Sequence, residues 1–292
     1  MSEKPTIVVT GADGQLGREI VLIEQTAFTV VGLSRNELDI TDLAGCRLVM
    51  SEYKPFAVIH CAAYTAVDKA ESEQDEAFRV NRDGTSNIAL ASHEIGAKLI
   101  YISTDYVFDG KGNTPYIESD DVSPTTVYGS SKLAGEESVQ AIHPHSFIVR
   151  TSWVYGQYGN NFVKTMLSLA QQRKVLKVVA DQIGSPTYTN DLARFLLQLV
   201  ETDRYGIYHA SNAGICSWYD FATVIFAESG ADVKVEACTT AEFPRPAPRP
   251  AYSVMEHRNM ALNGFEPMRH WQDALRDFLS NLNSNKSSKS GL

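Results

Sequence analysis

No CxxC pair occurs in this sequence, and its four cysteines (Cys46, Cys61, Cys216 and Cys238) are scattered. Without paired spacing they build neither a disulfide framework nor a zinc site, so free thiols in a reducing cytosol are expected. No apolar run approaches the ~20 residues of a membrane span, and a membrane partner is not expected. The opening "MSEKPTIVVTG" enters a strand at once and leaves no room for a secretory leader, which suggests a cytoplasmic location. Basic runs are missing too. The net charge of −9 argues against nucleic acid as a partner and makes any anionic ligand depend on locally placed donors. The seven histidines show no ligand spacing, "HPH" at 143–145 reading as an exposed loop, so no metal is expected.

What the chain does have is a soluble, core-forming composition: 43% hydrophobic and 21% charged residues over 292, enough for one large domain or two ordinary ones. Buried-type strands rich in β-branched residues recur at 6–10, 28–33, 56–60, 98–103 and 146–150. Helical periodicity fills the intervals near 42–53, 74–95 and 128–142. Near-continuous apolar strands separated by helices predict a doubly wound parallel α/β sheet, Rossmann-like, over residues 1–150. Beyond Arg150 the regularity loosens. Helices are predicted at 161–173, 189–201, 216–229 and 270–282, with strands at 175–180, 205–210 and 233–238. Residues 151–283 read as a smaller, mainly substrate-binding domain with some strands returning to the main sheet. "FPRPAPRP" at 243–250 cannot sustain a regular element, and the polar stretch 284–292 is expected to be a disordered tail.

The first turn, "TGADGQLG", follows a strand and opens a helix, with Gly11, Gly14 and Gly17 in a GxxGxxG pattern that chance supplies only about 0.1 times in such a chain. Glycines there allow a tight turn and close approach to a pyrophosphate, and the helix start at Gln15 and Leu16 supplies free N–H groups. At the end of the second strand Ser34 and Arg35 stand where an acid selecting NAD would be expected, which points to NADPH, with NADH possible.

"VYGSSKLAGEE" sets Tyr128 four residues ahead of Lys132. Spacing alone does not separate a catalytic pair from two surface side chains, because roughly half a YxxxK match arises by chance. Context adds weight. "ISTDYVFDG" ends the fourth strand and places Ser103, Thr104 and Asp105 at a carboxyl edge of the sheet, where ligands of such sheets bind. Side chains four apart share one helix face. A phenol has an ordinary pKa of ~10, and a neighbouring ammonium is expected to lower it toward a useful range for donating a proton to a developing alkoxide. Thr104 would hold the carbonyl oxygen.

The blocks "GADGQLG", "HCAAYTAVDKAE", "STDYVFDG", "VYGSSKLAGE", "RTSWVYG", "GNNFVKTM" and "ADQIGSPTYTNDLA" resemble the extended short-chain dehydrogenase/reductases, and within them the dTDP-4-dehydrorhamnose reductase family, from the first strand to about residue 282. That resemblance implies an NAD(P)H-dependent reductase of a nucleotide-sugar ketone, as a monomer or weak homodimer. It implies Tyr128 as proton donor, Lys132 as its partner and ribose ligand, and Thr104 as the carbonyl-binding hydroxyl. Asp39 and Ile40 would sit beside the adenine, Ala62, Ala63 and Tyr64 along the cofactor, and Asp105 and Trp153 against the deoxysugar. Asn190 stands where some family members carry a metal-binding carboxylate, which weakens any claim to that metal or the dimer it supports. Arg249 or Lys164 would supply cations for the substrate diphosphate.

Two rival readings differ in class. A dehydratase of the same superfamily carries Asp then Glu after the strand-end Thr, whereas Tyr106 follows Asp105 here. A non-catalytic partner, similar to the regulatory subunit of methionine adenosyltransferase, would have no chemical need of the Tyr128–Lys132 pair. A talose-forming reductase is the alternative within the family.

Overall fold

In the computed structural model, which describes residues 4–289, the first half alternates strands and helices. The strands are β1 (Thr6–Thr10), β2 (Thr29–Leu33), β3 (Ala57–His60), β4 (Lys98–Thr104) and β5 (Ser146–Thr151). The helices are α1 (Gln15–Leu22), α2 (Leu43–Tyr53), α3 (Val67–Ala70), α4 (Gln74–Phe78), α5 (Thr85–Glu94) and α6 (Val127–Ile142). The second half adds β6 (Val154–Tyr155), β7 (Val175–Val179), β8 (Ile183–Gly184), β9 (Thr187–Tyr188), β10 (Gly206–His209), β11 (Cys216–Ser217) and β12 (Lys234–Cys238). Its helices are α7 (Phe162–Ala170), α8 (Thr189–Val200), α9 (Trp218–Ser229), α10 (Arg258–Leu262) and α11 (Trp271–Lys289).

Six strands form one parallel sheet in the order β10-β5-β4-β3-β1-β2. Because successive side chains alternate between faces, Ile7, Val9, Ile59, Ile100 and Phe147 pack on one side beneath α1 and α8. Val8, Val58, Leu99 and Tyr101 pack on the other with Met50, Ile88 and Val139 of α2, α5 and α6. Burial on both faces explains why these strands are continuously apolar. The chain leaves β1 for β2 on one side and then crosses to β3 on the other, so a crevice opens at their carboxyl ends. A separate core in the second half gathers Tyr155, Val163, Phe221, Trp271 and Phe278.

Three departures from the sequence reading have physical causes. The helix predicted over 74–95 is interrupted by a π-helical turn, Arg79–Gly84, between α4 and α5. The wider turn brings Asn81 inward to bond the Tyr64 backbone, which a regular period does not encode. The predicted helix at 216–229 yields its first two residues to β11, and Ser217 then caps α9 through a reciprocal pair with Asp220. The expected tail is corrected as well: α11 continues through 284–289, since extending a docked helix needs no new nucleus, and 290–292 lie outside the described residues. The Pro-rich stretch 243–250 carries no helix or strand. Among the described residues no helix is long and apolar enough to cross a membrane.

Candidate active site

β1 hands the chain to Gly11, whose φ of +67° is left-handed and whose absent Cβ would lie 2.7 Å from the Ala62 nitrogen. A Cβ on Gly17 would run into the Gly11 carbonyl. Gly14 begins α1 with no side-chain cap, and the first turn carries no acidic residue. The helix start therefore offers N–H groups and a positive dipole end to the crevice. From here a cleft of about 1050 Å³ runs across the carboxyl ends of the strands. It is lined by Gly11, Gly14, Gln15, Leu16, Gly17, Arg35, Asp39, Ile40, Ala62, Ala63, Tyr64, Thr104, Asp105, Tyr128, Lys132 and Trp153.

Among the residues expected to bind the cofactor, Ser34 alone does not line the cleft. Its amide donates to Glu37 at 2.7 Å and its hydroxyl bonds the same carboxylate, which is held below its ordinary pKa. Arg35 alone remains at that end, largely exposed and 4.0 Å from Glu76, a cleft residue that also pairs with Arg79 at 2.7 Å. Asp39 accepts from the Thr41 amide and hydroxyl at 3.0 and 2.8 Å, bonds that lower its pKa. Asp42 caps α2, accepting from the Ala44 amide. Tyr64 is fixed through its backbone: its amide donates to Asn81 Oδ1 at 2.8 Å, while Asn81 Nδ2 donates to the Tyr64 carbonyl at 3.0 Å and to Ser131 Oγ at 2.9 Å. Asn81 thus ties the β3 loop to α6.

At the catalytic end Thr126 caps α6, accepting from the Gly129 amide at 3.0 Å. A Cβ on Gly129 would collide with the Tyr106 carbonyl, so glycine lets the helix press onto the turn after β4. The Tyr128 ring meets Tyr106 edge-on at 5.5 Å. Lys132, only 2% exposed, donates to the Ile102 carbonyl at 2.7 Å and sits 4.1 Å over the Tyr101 ring. Burial lowers its pKa to about 7, opposed by the Glu136 carboxylate. One expectation is corrected here. Tyr128 is not drawn down by its ammonium neighbour; burial pushes the phenol up to about 12, with the Thr104 hydroxyl pulling the other way. Asp105 Oδ1 accepts from Thr104 Oγ1 at 2.9 Å, its Oδ2 is buried without a partner, and burial raises the carboxyl to about 6. Behind this surface Glu136 pairs with Arg150 at 2.7 Å and accepts from Ser103 at 2.5 Å, a sequestered and neutralised ion pair.

Trp153 holds φ at +47°, a left-handed conformation that for a bulky side chain costs on the order of 1–3 kcal/mol. Nearby, Gly159 and Asn160 line the cleft, and Asn161 Nδ2 donates to Gln15 Oε1 at 3.2 Å, joining the second half to the first turn. Glu76, Tyr106, Gly159 and Asn160 were not singled out from the sequence; only the "GNN" block and the neighbour of Asp105 hinted at three of them. Neither cation suggested for a diphosphate lines the cleft. Lys164 donates to the Gln157 and Gly159 carbonyls at 2.7 and 3.0 Å, and Arg249 pairs with Asp68 at 2.9 Å. Asn190 bonds Glu19 and accepts from Arg194, and no cluster of three potential metal ligands exists among the described residues.

Comparison with known proteins fits this geometry. The family model described as RmlD substrate binding domain matches residues 5–284. A spore coat polysaccharide biosynthesis protein, SpsK, of Bacillus subtilis (strain 168) is 48% identical, across 95% of this chain and 98% of the relative. A dTDP-4-dehydrorhamnose reductase of Aggregatibacter actinomycetemcomitans is 43% identical, across 93% of this chain and 97% of its own. The crystal structure of dTDP-4-dehydrorhamnose reductase from Bacillus anthracis str. Ames in complex with NADP superposes with a TM-score of 0.94 at 46% identity, covering 96% of this chain and all of that one.

Proposed function

The chain belongs to the RmlD substrate-binding-domain family of dTDP-4-dehydrorhamnose reductases, and from that premise we propose that it reduces the C4 ketone of dTDP-4-dehydro-β-L-rhamnose to dTDP-L-rhamnose with NADPH. It is an NAD(P)H-dependent oxidoreductase. The observation that carries the reading is one cleft holding both the glycine turn and the Thr104–Tyr128–Lys132 group. The residues present fit a dinucleotide: α1 begins at the cleft-lining Gly14 with no side-chain cap and no acid in its first turn, so its free N–H groups are available to a pyrophosphate. When bound, the cofactor supplies the hydride that reduces the ketone carbon.

The chain's own groups do the rest. The Tyr128 hydroxyl and Thr104 Oγ1, its proton turned away from Asp105 Oδ1, hold the carbonyl oxygen, and Tyr128 transfers its proton as the alkoxide develops. A phenol near 12 is fully protonated at neutral pH, so the proton is in place when the alkoxide develops. Lys132 Nζ donates to the Ile102 carbonyl, and a ribose hydroxyl would offer it a further acceptor there. The unpartnered Oδ2 of Asp105 accepts from a sugar hydroxyl, and Trp153 provides a flat apolar wall for the methyl-bearing face.

The test compares kcat/KM for dTDP- and GDP-linked 4-keto-6-deoxyhexoses, followed by NMR of the product. A talose configuration or a preference for GDP overturns the substrate while leaving the reductase chemistry. Arg35→Ala should raise KM for NADPH more than for NADH, because the guanidinium would face the 2′-phosphate. Equal effects on both would remove Arg35 from that role.

A further inference from the structure

Trp218 does not line the cleft, yet it stands directly behind a residue that does. Its indole stacks on that of Trp153 with centroids 3.6 Å apart and planes 11° from parallel. Its own surroundings are rigid. Phe162 packs at 4.5 Å, and the residue is the first of α9, anchored by the reciprocal Ser217–Asp220 cap. On another side Gly184 of β8 is pressed so close to Trp153 that a Cβ would lie 2.6 Å from Cε2 of the indole. β8 in turn pairs antiparallel with β11, the two residues that lead into Trp218.

Trp153 therefore sits between two built contacts, the Trp218 indole and Gly184, while its backbone occupies the left-handed region at φ +47°. A strained conformation persists only where neighbours over-determine it. Here those neighbours are Trp218, stacked on the ring, and Gly184, packed against its Cε2–Cζ2 side. We infer that Trp218 is a positioning residue for sugar specificity: by stacking on Trp153 it fixes the plane that ring offers to the deoxysugar, and hence the height of the sugar above the cleft floor. The inference rests on the reading of Trp153 as the sugar wall. Holding a ring in its binding orientation beforehand removes an ordering penalty from substrate association and leaves the proton-transfer groups alone. Its effect belongs in KM for the nucleotide sugar and not in KM for NADPH.

Four variants test it: Trp153→Ala, Trp218→Leu, Trp218→Phe and Gly184→Ala. Trp153→Ala should raise the sugar KM about tenfold or more. Trp218→Leu should raise it about threefold to tenfold, with kcat and the NADPH KM within about twofold of wild type. Trp218→Phe, which keeps a stacked ring, should restore most of the affinity, a rescue that loss of bulk packing alone would not produce. Gly184→Ala, whose methyl would meet the Trp153 ring and Ser253 Oγ, displaces Trp153 and should also raise the sugar KM. The third tryptophan, Trp271, meets Phe221 edge-on at 5.6 Å, so a far-ultraviolet exciton couplet in circular dichroism reports the Trp153–Trp218 pair. That couplet should vanish in Trp153→Ala and in both Trp218 variants. An unchanged sugar KM in Trp153→Ala overturns the wall reading and the inference with it. A raised KM there with a wild-type value in Trp218→Leu overturns the inference alone. Should Trp218→Leu fail to fold, a wild-type sugar KM in Gly184→Ala overturns it equally.

Discussion

Tyr128 and Asp105 face the same space, and burial moves both toward their neutral forms. For Tyr128 that means the proton is in place at neutral pH. Tyr128→Phe should lower turnover by ~10²–10⁴ while leaving NADPH affinity within about twofold, measured by single-turnover oxidation and by fluorescence titration. Wild-type turnover in the Phe variant would require another donor. For Asp105 the folded pKa of about 6 exceeds the ordinary 3.8, so the folded state holds this proton more tightly than the unfolded chain does. Its contribution to stability is full below about pH 4 and is lost as pH rises through about 6. Asp105→Asn should accordingly stabilise the protein by roughly 1–3 kcal/mol at pH 7.5 and change little at pH 4, read by urea denaturation at both values. The same variant should raise the sugar KM at pH 7.5, since the free acceptor Oδ2 becomes an amide position. A stability gain confined to acid pH would contradict the raised pKa.

At the scale of elements, α6 carries the chemistry because of a residue with none. Gly129 brings the helix against the Tyr106 carbonyl, and Thr126 sets where it begins. Alanine is the better helix former by ~1 kcal/mol, so propensity alone favours Gly129→Ala. Overpacking against backbone opposes it at typically ~1–3 kcal/mol. The collision should win: Gly129→Ala is expected to lower stability by about 1–2 kcal/mol and kcat at least tenfold, checked by urea denaturation and steady-state rates. A stabilised, fully active variant would show that α6 can lift off the turn without moving Tyr128. Periodicity made α6 and the strand ends legible in the sequence. It also predicted one helix over 74–95, because an extra residue in a turn leaves the surrounding apolar spacing nearly intact. The π turn is stabilised by what Asn81 finds at Tyr64 and Ser131, partners 17 and 50 residues away.

Across the whole molecule the two halves meet over the first turn. Asn161 caps α7 through its Oδ1, accepting from Lys164 N at 3.1 Å, while its Nδ2 reaches Gln15 at 3.2 Å and the Gly156 carbonyl at 2.9 Å. Asn161→Asp keeps the cap and removes both donations. It should leave α7 intact by circular dichroism yet raise the NADPH KM about threefold to tenfold, because Gln15 stands at the phosphate turn. Asn161→Ala should lose a further ~1 kcal/mol of stability with the cap. Equal NADPH KM in wild type and Asn161→Asp would mean the junction carries no cofactor contact.

By itself the sequence determined the doubly wound sheet, the glycine turn and the placement of Thr104, Tyr128 and Lys132 at one sheet edge. Those features follow from local physics: strand and helix periods, steric limits at glycine, and side chains one helical turn apart. Tertiary structure alone decided that Ser34 bonds Glu37 and leaves the cleft wall, that Lys132 bonds the Ile102 carbonyl, and that Trp153 is held in a strained conformation between Trp218 and Gly184. It also decided the direction in which Tyr128 and Asp105 titrate. Desolvation depends on every atom packed around a group, and residues 146 positions apart, such as Gln15 and Asn161, become neighbours only once the chain has folded.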